Sequence, residues 1–494
     1  MEKSRVALVR DSGLLVSSPK GGPAIRDLAF QGERIERMVA RAFELSGFDF
    51  ADRIARTRKE RPVVVLKVNA TAVAPPEDLS TTDPRLVRAV CVYLLSQVPR
   101  GSQIELLVAD NCAFGEAGLT SNAFATSLIA AAAAEGGAEL RPLDLMPHHR
   151  TNPRFPATPL VMKTVNIFEV VDSADILINL PKMKVIVDQI VSLGLKNWVG
   201  VIPAGSHIRG ERHTAGRQES LDQQGYHRAD LCMKVVDIHQ VREPDFTLID
   251  GIWALEGQGP WFGQRRIMNL LVASSDVVAV DATACRCMGI DPLEIGEIRV
   301  AAQLGIGVYE EDKIDLRFEE LSPDIEVMET DDTDFVSNED IRRVRQFFRR
   351  PSHSPVAVAK RVHLHVGGTC IGCLANIRGG LDTLVHYGFP FERMTSDVHI
   401  VAGMDVSIPA PLDGHVIVVG DCATLRLDFP DEAHSERVRK SVLDTVNEAV
   451  PPGVDVDVFP GCAPVAIFDE LVEWMAGKLS APEQRAWRQQ NGLL

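Results

Sequence analysis

Residues 174–213 read ADILINLPKMKVIVDQIVSLGLKNWVGVIPAGSHIRGERH, and the fold turns on this stretch. Its first part, Ile176 to Leu180, is mostly apolar and closes at Pro181. A short apolar run ended by a turn former is the signature of a buried parallel strand. Lys182 and Lys184 follow. If the chain stays extended through them, residues two apart share a face, and both ammonium groups project from one strand end. Lys196 adds a third cation beside Asn197 in a segment flanked by Gly194 and Gly200, and His207 and His213 close the stretch. Two readings compete. Lysines at strand and helix ends are ordinarily solvated. Alternatively, they line an anion site at the carboxyl edge of an open α/β sheet, where ligands of such folds bind.

Working outward, strand and helix signals alternate along the first 300 or so residues. Strands are expected at Val6–Val9, Val63–Val68, Ile104–Ala109, Phe246–Ile249 and Leu270–Ala273. Between them, Leu28–Leu45 has Ile35, Met38, Val39 and Ala42 on one helical face and Gly47 at its end. Thr82, Asp83 and Pro84 write a helix start, with an N-cap residue and then proline at the first helical position. Ser121 opens an alanine-rich helix to Glu135. Asp276 is an N-cap for the apolar helix Val277–Met288, and Asp281 within that helix needs a partner, for which a lysine of the central stretch is the natural choice. Cys285 and Cys287, two apart on that helix, read as core packing. Repeated βα units mean a parallel sheet with helices on both faces, so the fold class is α/β with a Rossmann-like first domain. After Ile249 the run Asp250–Gly263 reads as a glycine-rich loop with Gly257 and Gly259, the carboxylates Asp250 and Glu256, and Trp253 and Trp261. Glycines of this kind permit close backbone approach to a ligand.

PKMK followed by LKNWVG, then DGIWALEGQGPWFG and SSDVVAVDATACRCMGIDP, resembles the family called domain of unknown function 362 over about residues 1–315. Members have a Thr-His pair after the second lysine, where Val185 and Ile186 stand here. The family's KPN motif falls on Lys67, Val68 and Asn69, with valine in place of proline. The resemblance implies a fold more than a chemistry. The candidate substrate-binding set is Lys67, Asn69, Lys182, Lys184, Lys196, Asn197, Gly257 and Gly259, with Asp250, Glu256 and His213 as candidate proton carriers.

At 494 residues, 45% apolar and 24% charged, the chain is long enough for two or three compact units. A net charge of −16 argues against a nucleic-acid backbone or an anionic membrane as partner, since both need a large positive field. No run approaches the ~18 apolar residues of a membrane span, and MEKSRVALVRD has no signal-peptide apolar region. A cytoplasmic protein is therefore expected. There is no GxGxxG, so no nicotinamide or flavin site is read. Nine cysteines, an odd number, favour thiol or metal chemistry over a disulfide framework.

Between about Asp312 and Pro355 the pattern lapses. Residues 326–340 hold seven acidic side chains in fifteen, and a basic run, Arg342–Arg350, follows. This is read as a linker over 316–360 between a domain at 1–315 and another at 361–494. In the latter the cysteines become positional: Cys370 and Cys373 form CxxC, Cys422 follows the expected strand Val416–Val419, and Cys462 follows the strand Val454–Phe459. Thiolates just beyond parallel strands and before helices gather on one sheet edge. One pair plus two isolated cysteines suits an iron–sulfur cluster better than the two compact pairs of structural zinc. CxxC, GDC and PGCAP resemble the proximal 4Fe-4S motif of nickel–iron hydrogenase small subunits and their complex I relatives over roughly residues 362–478. Ala463 stands where relatives have proline, and no nickel-binding cysteine pairs are present. That resemblance implies a flavodoxin-like second domain with a 4Fe-4S cofactor on Cys370, Cys373, Cys422 and Cys462.

The leading expectation is an iron–sulfur oxidoreductase or electron-transfer enzyme acting on a small anionic substrate. Two alternatives stand beside it: an electron carrier docking a redox partner protein, and a metal-assisted isomerase or lyase with a structural cluster.

Overall fold

The computed structural model describes residues 3–15, 23–112, 119–144, 150–187, 189–203, 231–322, 335–352, 361–368, 371–409, 414–420, 423–428, 440–441, 455–459, 471 and 474–490. The chain divides into two compact units, with the main division between Pro351 and Ser352.

The first unit is built on strands β1 (Ser4–Arg10), β2 (Val63–Lys67), β3 (Glu105–Asp110), β4 (Glu139–Pro142), a separate hairpin of β5 (Thr151–Arg154) and β6 (Val165–Phe168), then β7 (Ile176–Asn179), β8 (Lys182–Ile186), β9 (Ile190–Ser192), β10 (Phe246–Gln258), β11 (Phe262–Ser274) and β12 (Ile314–Glu320). The main sheet runs β12-β1-β11-β10-β7-β2-β3-β4, with β8 and β9 branching from β10. The segment β10-β7-β2-β3-β4 is parallel throughout. From β2 the chain moves outward to β3 and β4, then returns to the other side of β2 as β7. The strand order therefore reverses between β2 and β7, which is the topological switch point of a Rossmann-like sheet.

Local sequence accounts for the element ends. Asp83 caps the helix Pro84–Ser96 by accepting from Arg85 N, and Asp276 caps Val277–Cys287 by accepting from Val278 N and Ala279 N. The helix Gly32–Ser46 buries Ile35, Met38, Val39, Ala42 and Phe43 and ends at Gly47 with φ +74°. It starts four residues later than the apolar pattern suggests, because Gln31 takes a left-handed conformation. The alanine-rich stretch is two helices, Leu119–Thr126 and Ile129–Gly136, broken where Leu128 has φ +64°.

Two expectations change. Asp250–Gly263 is not an open loop but the distal half of a long antiparallel hairpin, β10–β11, paired from Thr247↔Ser274 to Gln258↔Phe262. The glycines mislead because a strand's interior was read as a turn. Within the segment read as a linker, Ile314–Glu320 is β12, parallel to β1 as the sheet's edge. The helix Glu339–Val344 and the chain to Pro351 also belong to the first unit. The basic run docks there: Arg349 and Arg350 pair with Glu256 and Glu294.

The second unit has a parallel sheet of β13 (Val362–Val366), β14 (Val398–Ala402), β16 (His415–Val419) and β19 (Asp455–Phe459) in that order, and a small sheet of β15 (Val406–Pro409), β17 (Thr424–Asp428) and β18 (Lys440–Ser441). Val401, Val406, Ile408, Val416, Val418, Ala423 and Leu425 form one cluster of its core, between the two sheets, and Ile377, Leu381, Ile400 and Ile417 are also fully buried. Among the described residues no helix is long and apolar enough to cross a membrane.

Candidate functional site: a buried lysine cluster at the switch point

Lys67 and Asn179, the last residues of β2 and β7, are register partners on either side of the switch point. Around them the sequence places an unusual set of buried polar groups. Lys67, Lys182 and Lys184 are each 1% exposed, and Asp110, Asp250, Asp83, Asn69, Asn179 and Asn197 are buried with them. Charges removed from water this completely must be paired and hydrogen-bonded, and each lysine solves that problem differently.

Lys67 Nζ lies 2.6 Å from Asp110 Oδ1 at the end of the neighbouring β3 and donates to Val68 O at 2.7 Å. Burial lowers the Lys67 pKa against the pull of Asp110, and burial raises that of Asp110 against the pull of Lys67. The chain crosses this pair at Gly200, where a Cβ would come 2.4 Å from Asp110 Oδ1 and 2.7 Å from Lys67 Cε. Only glycine fits there without displacing the pair.

Lys182 is the register partner of Asp250 on β10, and its Nζ donates to Asp250 Oδ2 at 2.9 Å. Asp250 also accepts from Asp83 N and Ile252 N. Burial pushes the Asp250 carboxyl up, with Lys182 opposing. Asp83 forms its own buried ion pair with Arg85, at 2.7 Å.

Lys184 is the exception. Its Nζ donates to Asn69 Oδ1 (2.9 Å), Thr71 Oγ1 (3.3 Å) and Ser80 O (2.6 Å), all neutral, and no carboxylate among the described residues contacts it. Burial, with Lys182, Lys196 and Lys67 nearby, pushes its pKa down to about 7, and Asp110 alone among the named charges opposes. Near neutral pH this amine exchanges a proton readily, as a general acid or base requires. Around the cluster, Ser80 Oγ, Thr81 Oγ1 and Asn111 Oδ1 are buried without a hydrogen-bond partner among the described residues. Buried polar atoms of this kind call for a ligand or an ordered water.

Asn197 ties the elements together. Its Oδ1 accepts from Asn69 Nδ2 at 2.7 Å, and its Nδ2 donates to Asn179 Oδ1 at 2.8 Å. The short helix Gly194–Asn197 carrying it is buried, and Lys196 on the same turn is 8% exposed. That helix is held from behind by Asp281, which accepts from Gly194 N (2.7 Å) and Leu195 N (2.8 Å), and by His239 Nε2, 3.1 Å from Leu195 O. The partner of Asp281 is thus a pair of backbone N–H groups and not a lysine. Two amides satisfy both carboxylate oxygens without a second buried charge. Burial drives the His239 pKa down to about 4, so the ring is neutral and donates from Nε2.

Of the residues singled out in the sequence, Lys67, Asn69, Lys182, Lys184, Asn197 and Asp250 come together here. Glu256 goes elsewhere. Leu255 is the register partner of Lys184, so the next residue points to the opposite face. There Glu256 accepts from Arg266 Nη2 (2.8 Å) and from Arg349 N and Nε (both 3.0 Å). Gly257 is near the end of β10, paired with Gly263, and Gly259 lies in the hairpin turn; Gly257 N donates to Arg349 O, and a Cβ on Gly259 would strike Val185 O. His213 lies outside the described residues, as do Cys370, Cys422 and Cys462; Cys373 is buried in the helix Ile371–His386. Asp110, Arg85, Asn179 and Ser80 are not singled out by the sequence, and Asp83 is singled out only as a helix cap. Asp110 and Asn179 sit at strand ends, the same address that marks Lys67, and that rule would have found them.

Residues 64–286, which span this cluster, match the model of the family described as Domain of unknown function (DUF362). A thylakoid-associated protein of Synechocystis sp. is 32% identical over 133 residues, which cover 27% of this chain and 38% of that protein. Among solved structures, the lactate racemase apoprotein from Thermoanaerobacterium thermosaccharolyticum aligns over 56% of each chain at 12% identity and a TM-score of 0.31. That similarity is too low to carry fold or function across.

Proposed function

We propose that the chain is an iron–sulfur oxidoreductase whose first unit takes a small anion, a carboxylate or phosphate, into the lysine cluster. The observation that carries the anion site is Lys184, a buried ammonium with only neutral partners among the described residues, beside two further buried lysines. A bound anion would supply the missing counter-charge, and in a dry site that attraction is far stronger than in water. Lys67 and Lys182, each committed to an aspartate, orient and raise the positive potential; Lys184 binds the anion and handles the proton. Replacing Lys184 by methionine is expected to weaken binding of inorganic phosphate and of small carboxylates at least ~100-fold, as loss of a buried charge-assisted hydrogen bond implies. Calorimetric titration checks this, and equal affinity in the two proteins would remove the site.

The second unit is proposed to hold a 4Fe-4S cluster on Cys370, Cys373, Cys422 and Cys462. What supports this is the register of its parallel sheet, in which Val366, Ala402, Val419 and Phe459 form one row at the carboxyl edge. Cys422 and Cys462 each follow that row by three residues and Cys370 follows it by four, so three cysteine-bearing segments leave one edge. When bound, such a cluster supplies one-electron transfer. Anaerobically purified protein is expected to carry about four irons and four sulfides per chain, and Cys422→Ser or Cys462→Ser to lose most of them. Stoichiometric zinc without visible absorbance would overturn the cluster.

A specific observation keeps the electron-carrier reading beside the enzyme. Val366 and Met404, about half exposed, lie at the same edge, where Gly368 bridges to Met404. Exposed apolar side chains next to a redox centre suit partner docking. Reduced protein that no carboxylate or phosphate compound reoxidises, but that passes electrons to another protein, would favour the carrier.

A further inference from the structure

The three asparagines of the cluster are wired in one direction. Lys184 Nζ donates to Asn69 Oδ1 at 2.9 Å, Asn69 Nδ2 to Asn197 Oδ1 at 2.7 Å, Asn197 Nδ2 to Asn179 Oδ1 at 2.8 Å, and Asn179 Nδ2 to Gly194 O at 2.9 Å. The Gly194 carbonyl belongs to the same peptide group as the Leu195 N–H, which donates to Asp281 Oδ2 at 2.8 Å. Four amides in series, three side chains and one peptide, thus connect an ammonium to a carboxylate. Every amide accepts at its oxygen on the Lys184 side and donates at its nitrogen on the Asp281 side. The direction is dictated from both ends. An ammonium can only donate, so it must face the Asn69 oxygen; a carbonyl can only accept, so it must face the Asn179 nitrogen. Lys67 Nζ joins the chain at Asn197 Oδ1, 3.5 Å away.

We propose that Asp281 is a positioning residue for Lys184, acting through this amide chain as a remote counter-charge that favours the protonated amine and holds Asn69 oxygen-first toward it. Aligned hydrogen bonds in a low-dielectric interior polarise one another, and these dipoles all stabilise a cation at one end and an anion at the other. The arrangement answers a question the cluster itself raises, namely how a buried ammonium with neutral partners keeps its charge before an anion arrives.

The other charged groups around the two ends are accounted for. Lys182, Lys196 and Lys67 oppose the Lys184 charge and Asp110 favours it. Around Asp281, Glu297 and Asp276 disfavour ionisation and the N–H groups of Gly194 and Leu195 favour it, while burial pushes the carboxyl up to about 8. Cys285, also in the surroundings of Asp281, is itself pushed up by burial. Taken one at a time, Lys184 at about 7 and Asp281 at about 8 leave amine and acid both neutral between those values; the charged pair differs from that neutral pair by the place of one proton, and the aligned amides stabilise only the charged pair.

This inference rests on the role given to Lys184 above, and its test needs no ligand. In full-length protein labelled with 13C at lysine Cε, the Lys184 signal is assigned by its absence in Lys184→Met and followed from pH 5 to 10. Asp281→Asn and Asn179→Ala are each expected to lower its titration midpoint by about half a unit or more, the second while leaving the Asp281 charge in place. Asp281→Glu is expected to recover part of the shift. An unmoved midpoint in both variants overturns the proposal, as does a shift with Asp281→Asn alone, which would mean that the charge acts without the chain. If Asn179→Ala does not fold, Asn179→Ser serves the same comparison. Failure of anion binding in the parent would leave these outcomes readable.

Discussion

Replacing Asp250 by alanine is expected to destabilise the first unit by about 3–5 kcal/mol, the cost of breaking a buried ion pair from one side. The reason is what it leaves behind. The Lys182 and Asp250 side chains are fully buried, so without the carboxylate the ammonium has neither its partner nor water. The amides of Asp83 and Ile252 lose their acceptor as well, and the first of these fixes the residue that caps the helix Pro84–Ser96. Removing both charges is a different perturbation. Lys182→Met combined with Asp250→Leu is expected to recover about half or more of the loss, because the desolvation penalty disappears along with the attraction. Denaturant unfolding followed by fluorescence reads the difference, with Trp198 and Trp253 buried in the first unit as reporters. A loss under about 1 kcal/mol, typical of exposed pairs, would show that the pair is solvated and that the cluster is not the dry site described above.

The second large effect is on how stability depends on pH. The folded-state pKa of Lys184 is about 7, against an ordinary value of 10.5. Below pH 7 both folded and unfolded chains carry the proton, and the folded state bears the full cost of the buried charge. Between about 7 and 10.5 the unfolded chain still holds a proton that the folded chain has released. Stability must therefore rise with pH across this window, since the unfolded state binds more protons there. The full extent is of order 5 kcal/mol at 1.36 kcal/mol per unit. Lys184→Met removes the titrating group, so the parent should gain on the variant steadily from pH 7 upward. Lys67 is shifted in the same direction, but it is present in both proteins and drops out of the difference. Anion affinity should run the opposite way and fall as pH passes 7, because the site then loses its cation. Parallel stability curves for the two proteins would mean that Lys184 titrates in its ordinary range and is in contact with water.

Much of this is legible in the sequence. The apolar run at Ile176–Leu180 closed by proline, the caps at Asp83 and Asp276, and the alternation of strands with helices are local patterns, and the structure has them where the patterns stand. Lys182 and Lys184 were singled out because they follow a strand, and they are in the cluster for that reason. The misreadings share a cause as well. Residues 250–263 carry enough glycine to look like a loop, yet they pair along β10 and β11, where long-range hydrogen bonds outweigh local preference. Residues 314–320 look like linker between charged runs, but the exposed edge beside β1 offers them a partner.

By itself, then, the sequence determined most of the strands and helices of the first unit, the capped helix starts at Asp83 and Asp276, and that cationic and amide side chains stand at the ends of strands. These follow from periodicity, capping and backbone sterics, which act over a few residues. Only the tertiary structure decided which group meets which. Lys182 finds Asp250 across 68 positions and Lys184 finds Asn69 across 115, through the order of strands in the sheet. Glu256 is sent to two arginines by the register of β8 against β10, which gives the Lys184 side of the strand to Leu255. Asp281 takes two backbone amides in place of a lysine because the short helix Gly194–Asn197 starts against it, and the N–H groups of its first turn have no acceptor within the helix. The partner of a buried charge is set by strand order and by which face a side chain occupies, and neither is a property of the residues on either side of it.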